Sequence, residues 1–161
     1  MTIVYHCFGG AHSSPVAAAI HVGLLPRDRV PPAQAIRTVP YFDATPPGRW
    51  GCLLPMGRDV HGHAVYVMGH GPHGPVAVQA LQAGYHLAGG DPSGLVLVDT
   101  LRCVNVWMRL GGYLSRRLGL VRLGRPLVIW GTKKAYPRLA ALVQETLAHC
   151  GGGAASPRPG A

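Results

Sequence analysis

Short, fully apolar runs alternate along this chain with segments of helical periodicity, and this alternation constrains the fold more than any other feature. TIVYHCF (2–8), LVLVDT (95–100) and PLVIWGT (126–132) predict buried β-strands. PVAAAIHVGL (15–24), with Ser14 as its expected cap, and GPVAVQALQAGYHLA (74–88) predict helices. Because strands that alternate with helices are joined by crossovers, the pattern predicts a mostly parallel sheet with helices on both faces.

Two further apolar runs are joined differently. CLLPMG (52–57) and AVYVMGHG (64–71) flank RDVHGH, and this spacing predicts a β-hairpin with Gly62 near its turn. The sequence therefore predicts a three-layer α/β domain with an added hairpin. Three more segments predict helices: 31–37, 101–118 (the longest) and 133–149.

The length of 161 residues suffices for one α/β domain, which we place at residues 1–150. The tail GGGAASPRPGA, residues 151–161, has no apolar pattern and is predicted to be disordered. Within the helix predicted at 101–118, the pair Gly111 and Gly112 indicates a kink or close packing against another backbone.

Charge and cysteine content limit the classes of protein. Lys and Arg total 15 against 6 acidic residues, a net charge of +9, and all the basic residues but Lys133 and Lys134 are arginine. Arginine binds phosphate and carboxylate in a bidentate manner, although a compositional bias of the genome explains the count equally well. No run is long enough to span a bilayer, no signal-peptide pattern is found, and the four cysteines lack a disulfide or CxxC spacing. We expect a cytoplasmic protein without a membrane partner, of unknown oligomeric state.

The loop after the first predicted strand is the strongest candidate for a site. In open α/β sheets, ligands bind beyond the carboxyl ends of the strands, which also selects DTLRCVN and WGTKKAY. A helix N-terminus offers free amides and the positive end of a dipole, and glycines let the backbone approach a ligand. We expect an anion to bind these residues: Gly9, Gly10, Ala11, His12, Ser13 and Ser14.

Cys7 precedes this loop, where the helix dipole favours a thiolate nucleophile. His12 could assist it as a base or as a cation. Asp99, at the end of the strand predicted at 95–100, could act as a general acid or a magnesium ligand, or could cap the helix that begins at Leu101. The predicted catalytic residues are therefore Cys7, His12 and Asp99.

The loop resembles two families of phosphoryl-transfer proteins. Cys7, Gly10, Ser13 and Ser14 reproduce C-x-x-G-x-x-S-S, which resembles the phosphocysteine loop of sugar-transport phosphotransferase IIB domains. CFGGAHSSP resembles the C-x5-R-S-P loop of low-molecular-weight protein tyrosine phosphatases, with Pro15 also in register. Both resemblances imply a small α/β protein whose first loop holds a nucleophilic cysteine against phosphate. Ser13 stands where the phosphatases have arginine, whereas the IIB pattern needs no arginine.

A second resemblance extends over nearly the whole chain. It is carried by the runs YHCFGGAHSSPVAAAIHVGLLPRDRVP, LVLVDTLRCVN, GGYLSRRLGL and GRPLVIWGT. These runs resemble an uncharacterised family of small proteins from Gram-positive spore formers, domain of unknown function 3189. This resemblance implies no activity, so the chemistry must come from the residues.

Further residues are predicted to support the site: Thr100, Cys103, Asn105, Arg116 and Arg125. Cys103 would be a resolving thiol or metal ligand beside Cys7, or a small core residue. Arg116, Arg117 and Arg125 could replace the missing loop arginine.

Metal and nucleic-acid binding are weaker alternatives. A zinc site from His6, Cys7, His12 and Cys103 lacks a recognised ligand spacing, and neighbouring strand residues point to opposite faces. The histidines of HGH and GHGPHG are typical of solvent loops, so we expect no metal, and the sequence requires no cofactor. Three arginines recur every seven residues as a stripe that is either a solvated face or a nucleic-acid surface: Arg102, Arg109 and Arg116.

The leading hypothesis is phosphoryl transfer or phosphoester hydrolysis with Cys7 as nucleophile. One alternative is a non-catalytic module that binds a phosphorylated metabolite or nucleotide for regulation. A second alternative is a nucleic-acid-binding protein. In the first two, the partner is a small phosphorylated or anionic ligand.

Overall fold

A four-stranded sheet organises the protein in the computed structural model, which describes residues 1–45 and 48–152. The strands are β1 (Thr2–Cys7), β2 (Leu54–Arg58), β3 (Ala64–Gly69) and β4 (Leu95–Asp99), in the order β2-β3-β1-β4. β1 pairs in parallel with β3 and β4, and β2 pairs antiparallel to β3. The predicted α/β class, the mostly parallel sheet and the hairpin are confirmed, and Gly62 lies in the hairpin turn with φ +81°.

Five α-helices are formed by the described residues: α1 (Ser13–His21), α2 (Ala33–Arg37), α3 (Gly74–Leu87), α4 (Val106–Gly112) and α5 (Val121–Gly152). α1 and α5 pack together over one face of the sheet, where Ile3, Tyr5 and Val67 are buried. Val4 and Met68 point to the opposite face, because side chains alternate along a strand, and they are buried there on the side of α3. β1 therefore has an apolar layer on both faces.

The run PLVIWGT (126–132) is helical, so the prediction of a strand there is wrong. It lies inside α5, which also contains the helix predicted at 133–149. A short apolar run does not distinguish a buried strand from a buried helix by its periodicity. WGTKKAY is consequently not a loop at the edge of the sheet. The predicted tail, 151–161, falls outside the described residues except for Gly151 and Gly152, which end α5.

The segment predicted as the longest helix, 101–118, is divided into three. A 3₁₀ turn at Leu101–Cys103 is followed by α4 and then by a π-helical turn at Tyr113–Arg117. The break before α4 has a local cause, because the Asn105 side chain accepts a hydrogen bond from the Met108 amide and so caps α4. The expected close packing at Gly111 is confirmed, since a Cβ there would lie 2.6 Å from the Val128 nitrogen of α5.

β4 is parallel as predicted, but it is an edge strand and is not fully buried. Leu95, Val96 and Leu97 are half-buried, and Asp99 is exposed. Among the described residues, no helix combines the length and apolar character needed to cross a membrane.

Candidate functional site

The sulfur of Cys7 lies at the start of the loop that joins β1 to α1. The Gly10 amide donates a hydrogen bond to it at 3.2 Å, and the Ser14 hydroxyl lies 3.0 Å from it. The prediction that Ser14 caps α1 is wrong, because the helix begins at Ser13 and the hydroxyl of Ser14 is directed at the sulfur instead. The loop therefore turns tightly around a cysteine side chain that two polar groups contact.

The backbone of this loop is held against β3. Gly10 has φ +62°, and a Cβ there would lie 2.7 Å from the Gly69 nitrogen. A Cβ on Gly69 would in turn lie 2.7 Å from the carbonyl carbon of Gly9. Only glycine allows both this conformation and this approach. Within the described chain, the amides of residues 11 to 14 donate no hydrogen bond, as is usual for the first turn of a helix.

Thr100, a predicted supporting residue, contacts this loop from the end of β4. Its hydroxyl lies 2.9 Å from the His6 carbonyl oxygen and 2.9 Å from the Ser13 hydroxyl. Thr100 and Ser13 are both fully enclosed. This pair ties the first turn of α1 to the neighbouring strand.

Asp43 organises the other side of the loop, and the sequence analysis missed it. Its carboxylate accepts hydrogen bonds from the Ser115 hydroxyl at 2.8 Å and from Arg125 Nε at 2.9 Å, and it lies 3.2 Å from His12 Nε2. Its amide donates to the Ala11 carbonyl oxygen at 2.8 Å. Asp43 also has φ +52°, an uncommon conformation for a residue with a side chain.

The charge of Asp43 is maintained by these partners. Burial alone would raise the pKa of the carboxyl, but hydrogen bonds from His12, Arg125 and Ser115 outweigh it and hold the pKa at about 2. The carboxylate is therefore ionised throughout the physiological range. One sequence signal was available: Asp43 is one of only six acidic residues and stands in the largely apolar stretch YFDAT.

Both predicted supporting arginines approach the loop through Asp43. Arg116 donates to the carbonyl oxygens of Asp43 and Thr45, and Thr45 itself donates to the Gly10 carbonyl oxygen at 2.7 Å. Arg125 bonds Asp43 through Nε, and its side chain remains 37% exposed. Segment 43–45 thus donates to two carbonyl oxygens of the loop, those of Gly10 and Ala11, and it also binds both guanidinium groups. Arg116 and Arg117 are both exposed, but among the described residues Arg117 donates no hydrogen bond to this segment.

His12 contacts Asp43 and not the thiol that it was expected to assist. Its Nε2 faces Asp43, and its ring packs edge-on against Phe42 with 5.7 Å between the ring centroids. Its Cε1 lies 3.0 Å from the position that a Cβ on Gly112 would occupy. The side chain hydrogen-bonds to Asp43 and not to the Cys7 sulfur. A His–Asp pair therefore lies beside the loop.

Asp99 is not brought to Cys7. It pairs in register with His6, and His6 and Cys7 point to opposite faces of β1. Its carboxylate accepts the Leu101 amide at 2.8 Å, which is the structural role considered for it. The side chain borders an open cleft of about 430 Å³ along β4, together with Arg102, Glu145 and His149.

The remaining predicted residues have structural contacts. Cys103 belongs to the hydrophobic core, and burial raises the pKa of its thiol. Asn105 caps α4 and donates to the Gly131 carbonyl oxygen at 2.7 Å. Among the described residues, no group of three or more His, Cys, Asp or Glu side chains could hold a metal ion.

The arginine stripe does not form one continuous face. Its three members lie on a 3₁₀ turn, on α4 and on the π-helical turn. Arg102 pairs with Glu145 at 3.6 Å, and Arg116 binds the carbonyl oxygens described above.

Comparison with known proteins identifies the family without giving an activity. The model of a family described as "Protein of unknown function (DUF3189)" matches residues 2–147. The chain belongs to this family. Neither the curated proteins nor the solved structures include a match to it. Because the matched range contains both the cysteine loop and the Asp43 cluster, both are features of the family domain in this chain.

Proposed function

We propose that this DUF3189 protein binds the phosphoryl group of a small ligand at the loop between β1 and α1, with Cys7 as the nucleophile. The observation that carries the proposal is the environment of the sulfur, with the Gly10 amide at 3.2 Å and the Ser14 hydroxyl at 3.0 Å. Donors directed at sulfur are what a thiolate nucleophile requires. The free amides of residues 11 to 14 supply the donors that an oxyanion requires.

The second support is a source of positive charge. Ser13 replaces the arginine of the phosphatase loop, but Arg125 is fixed beside the loop by its 2.9 Å bond to Asp43. This bond uses Nε, and within the described chain the terminal nitrogens of Arg125 donate to no other group. A partly exposed guanidinium with free terminal nitrogens is suited to bind a phosphate oxygen.

The proposed reaction has two steps. The Cys7 thiolate attacks phosphorus, a sulfur–phosphorus bond forms, and the ester oxygen leaves with a proton. Water then attacks the phosphocysteine, which releases phosphate and regenerates the thiolate. His12 is the proton donor that fits best, because Asp43 holds it beside the loop whereas Asp99 lies on the other face of the sheet.

Non-catalytic binding of a phosphorylated metabolite or nucleotide is the second candidate, and the burial of the nucleophile favours it. Only 5% of the surface of Cys7 is exposed. An anion could bind the amides without any attack by the sulfur. This alternative predicts thermal stabilisation by a phospho-ligand without turnover.

The assay that separates the two candidates uses para-nitrophenyl phosphate and intact-protein mass spectrometry. If Cys7 is the nucleophile, wild type releases nitrophenolate or gains a phosphoryl group, and Cys7→Ser loses at least about 100-fold of the rate. Cys52→Ser is the matched control, because Cys52 is exposed and lies outside the loop. Equal rates for wild type and Cys7→Ser would exclude covalent catalysis. Phosphate-dependent stabilisation of both proteins would then support the binding module.

A further inference from the structure

Two aromatic side chains beside the cysteine loop are about half exposed and contact each other. Phe8 is 52% exposed and Trp50 is 54% exposed, and their ring centroids lie 6.0 Å apart in an edge-to-face arrangement. Contiguous exposed aromatic surface is typical of a binding site, because a ligand that covers it removes apolar area from water.

Gly71 contacts both residues of the pair, through the backbone of Phe8 and through the ring of Trp50. The Gly71 amide donates to the Phe8 carbonyl oxygen at 2.8 Å. Gly71 has φ +57°, and a Cβ there would lie 2.6 Å from the Trp50 ring. The indole therefore packs directly on the backbone of Gly71, where no other residue would leave room for it. Little conformational entropy remains to be lost when a ligand binds such a ring.

The pair is contiguous with the proposed anion loop. Phe8 lies between Cys7 and the first glycine of the loop. Trp50 forms an isolated parallel β-bridge with Gly69. At this bridge the Gly51 amide donates to the Gly69 carbonyl oxygen at 2.7 Å. Gly69 is the residue against which the loop packs.

We infer that Phe8 and Trp50 form a subsite for an aromatic ring, so that the ligand of the anion loop is an aryl or heteroaryl phosphate. This inference rests on the proposed function, because the loop must hold the phosphoryl group while the aromatic group contacts the two side chains. Stacking against the indole selects a ring over an alkyl group without selecting its substituents.

The test is isothermal titration calorimetry of the full chain with inorganic phosphate, methylphosphonate and phenylphosphonate. The two phosphonates carry the same anionic group and resist hydrolysis, so turnover does not affect the comparison. We expect phenylphosphonate to bind about tenfold more tightly than methylphosphonate. Trp50→Ala should abolish this difference while leaving the affinity for methylphosphonate within about threefold.

Trp130→Ala is the matched control, because Trp130 is 43% exposed and packs on Trp107 in another part of the molecule. It should retain the tenfold preference. Quenching of tryptophan fluorescence by phenylphosphonate should likewise persist in Trp130→Phe and be lost in Trp50→Phe.

The outcomes separate the two proposals. Binding of phosphate and of both phosphonates with equal affinity would overturn the aromatic subsite and leave the anion loop supported. A preference for phenylphosphonate that survives Trp50→Ala would also overturn the subsite. If none of the three anions binds, the anion loop is wrong, and the subsite that depends on it is wrong as well.

Discussion

At the scale of single residues, Asp43 connects the cysteine loop to the helical layer. Its buried carboxylate contacts Arg125, Ser115 and His12, while its amide holds the loop. We expect Asp43→Asn to lower the free energy of unfolding by about 2 kcal/mol, less than for a fully buried pair because Arg125 is partly exposed. Urea denaturation at pH 7 measures this change.

The asparagine substitution isolates the charge, because asparagine tolerates positive φ as well as aspartate does. Asp28→Asn is the control: Asp28 is exposed, and its nearest cation, Arg29, lies 3.8 Å away. It should change stability by less than about 0.5 kcal/mol. Equal losses in the two variants would show that the Asp43 cluster contributes no more than a surface pair.

The residues of the site differ in how far sequence could predict them. Cys7, Gly10, Ser13 and Ser14 are adjacent along the chain, so the strand–loop–helix pattern alone predicts that they share a loop. Asp43 reaches the same place from an irregular segment, through bonds to residues more than 70 positions later. No local pattern encodes such a contact.

At the scale of elements, α4 and α5 approach each other through glycine. A Cβ on Gly111 would lie 2.6 Å from the Val128 nitrogen, and one on Gly124 would lie 2.6 Å from the Gly111 carbonyl oxygen. We expect Gly111→Ala to destabilise the protein by about 2 kcal/mol, because backbone atoms must move apart. Thermal and urea unfolding measure the loss.

Gly84→Ala is the matched comparison, since Gly84 lies within α3 and a Cβ there meets nothing within 4 Å. Alanine restricts the unfolded chain and favours the helix, so the free energy of unfolding of this variant should rise by about 0.5 to 1 kcal/mol. A stable Gly111→Ala protein would mean that α4 and α5 can separate without cost.

The same contact explains why the strand prediction at 126–132 is wrong. Val128 and Ile129 are buried as a strand would require, but Gly124 and Gly131 lie seven residues apart and face α4. The pairing of α5 with α4, and not local preference, determines its conformation. By contrast, β1 and β4 become strands as predicted, because each can pair with a neighbouring strand of the sheet.

At the scale of the whole molecule, the alternation of strands and helices was sufficient to predict the parallel sheet and the hairpin. It did not predict that β4 would be an edge strand. The order of the strands depends on where the connection after β3 returns to the sheet, and here it returns beyond β1. This order separates Asp99 from Cys7: the register places Asp99 beside His6, on the other face of β1. Hydrophobic periodicity therefore predicts which segments are strands and helices. Which side chains lie together in a site depends on the register of strand pairs that are distant in sequence.

Stability of the whole molecule should depend on pH through two buried histidines. Burial lowers the pKa of His6 below 6.5, which Asp99 only partly opposes, and it lowers the pKa of His21 in the same way despite a bond to Asp59. The unfolded chain therefore binds protons that the folded chain does not. The stability associated with these groups is complete above about pH 7 and is lost as the pH falls below 6.5 toward the folded-state values.

Carboxylates extend the same trend to lower pH. Burial raises the pKa of Asp59, but hydrogen bonds from His63, His21 and His61 outweigh it and hold the pKa at about 2, below the ordinary value of 3.8. The pKa of Asp43 is likewise held at about 2 by its hydrogen bonds. Each contributes stability that is present above about pH 4 and is lost as the pH falls toward 2. Acid should therefore destabilise the fold in two successive ranges.

We expect the free energy of unfolding to fall between pH 7 and pH 5, by at most about 2 kcal/mol for each of the two histidines. Urea denaturation across this range measures the slope. His6→Gln should reduce the slope but not abolish it, because one of the two histidines that resist protonation in the fold is removed and His21 remains. His73→Gln should leave the slope unchanged, because His73 is exposed. Equal stability of the wild type at pH 7 and pH 5 would contradict the assignment of His6 and His21 as neutral buried groups.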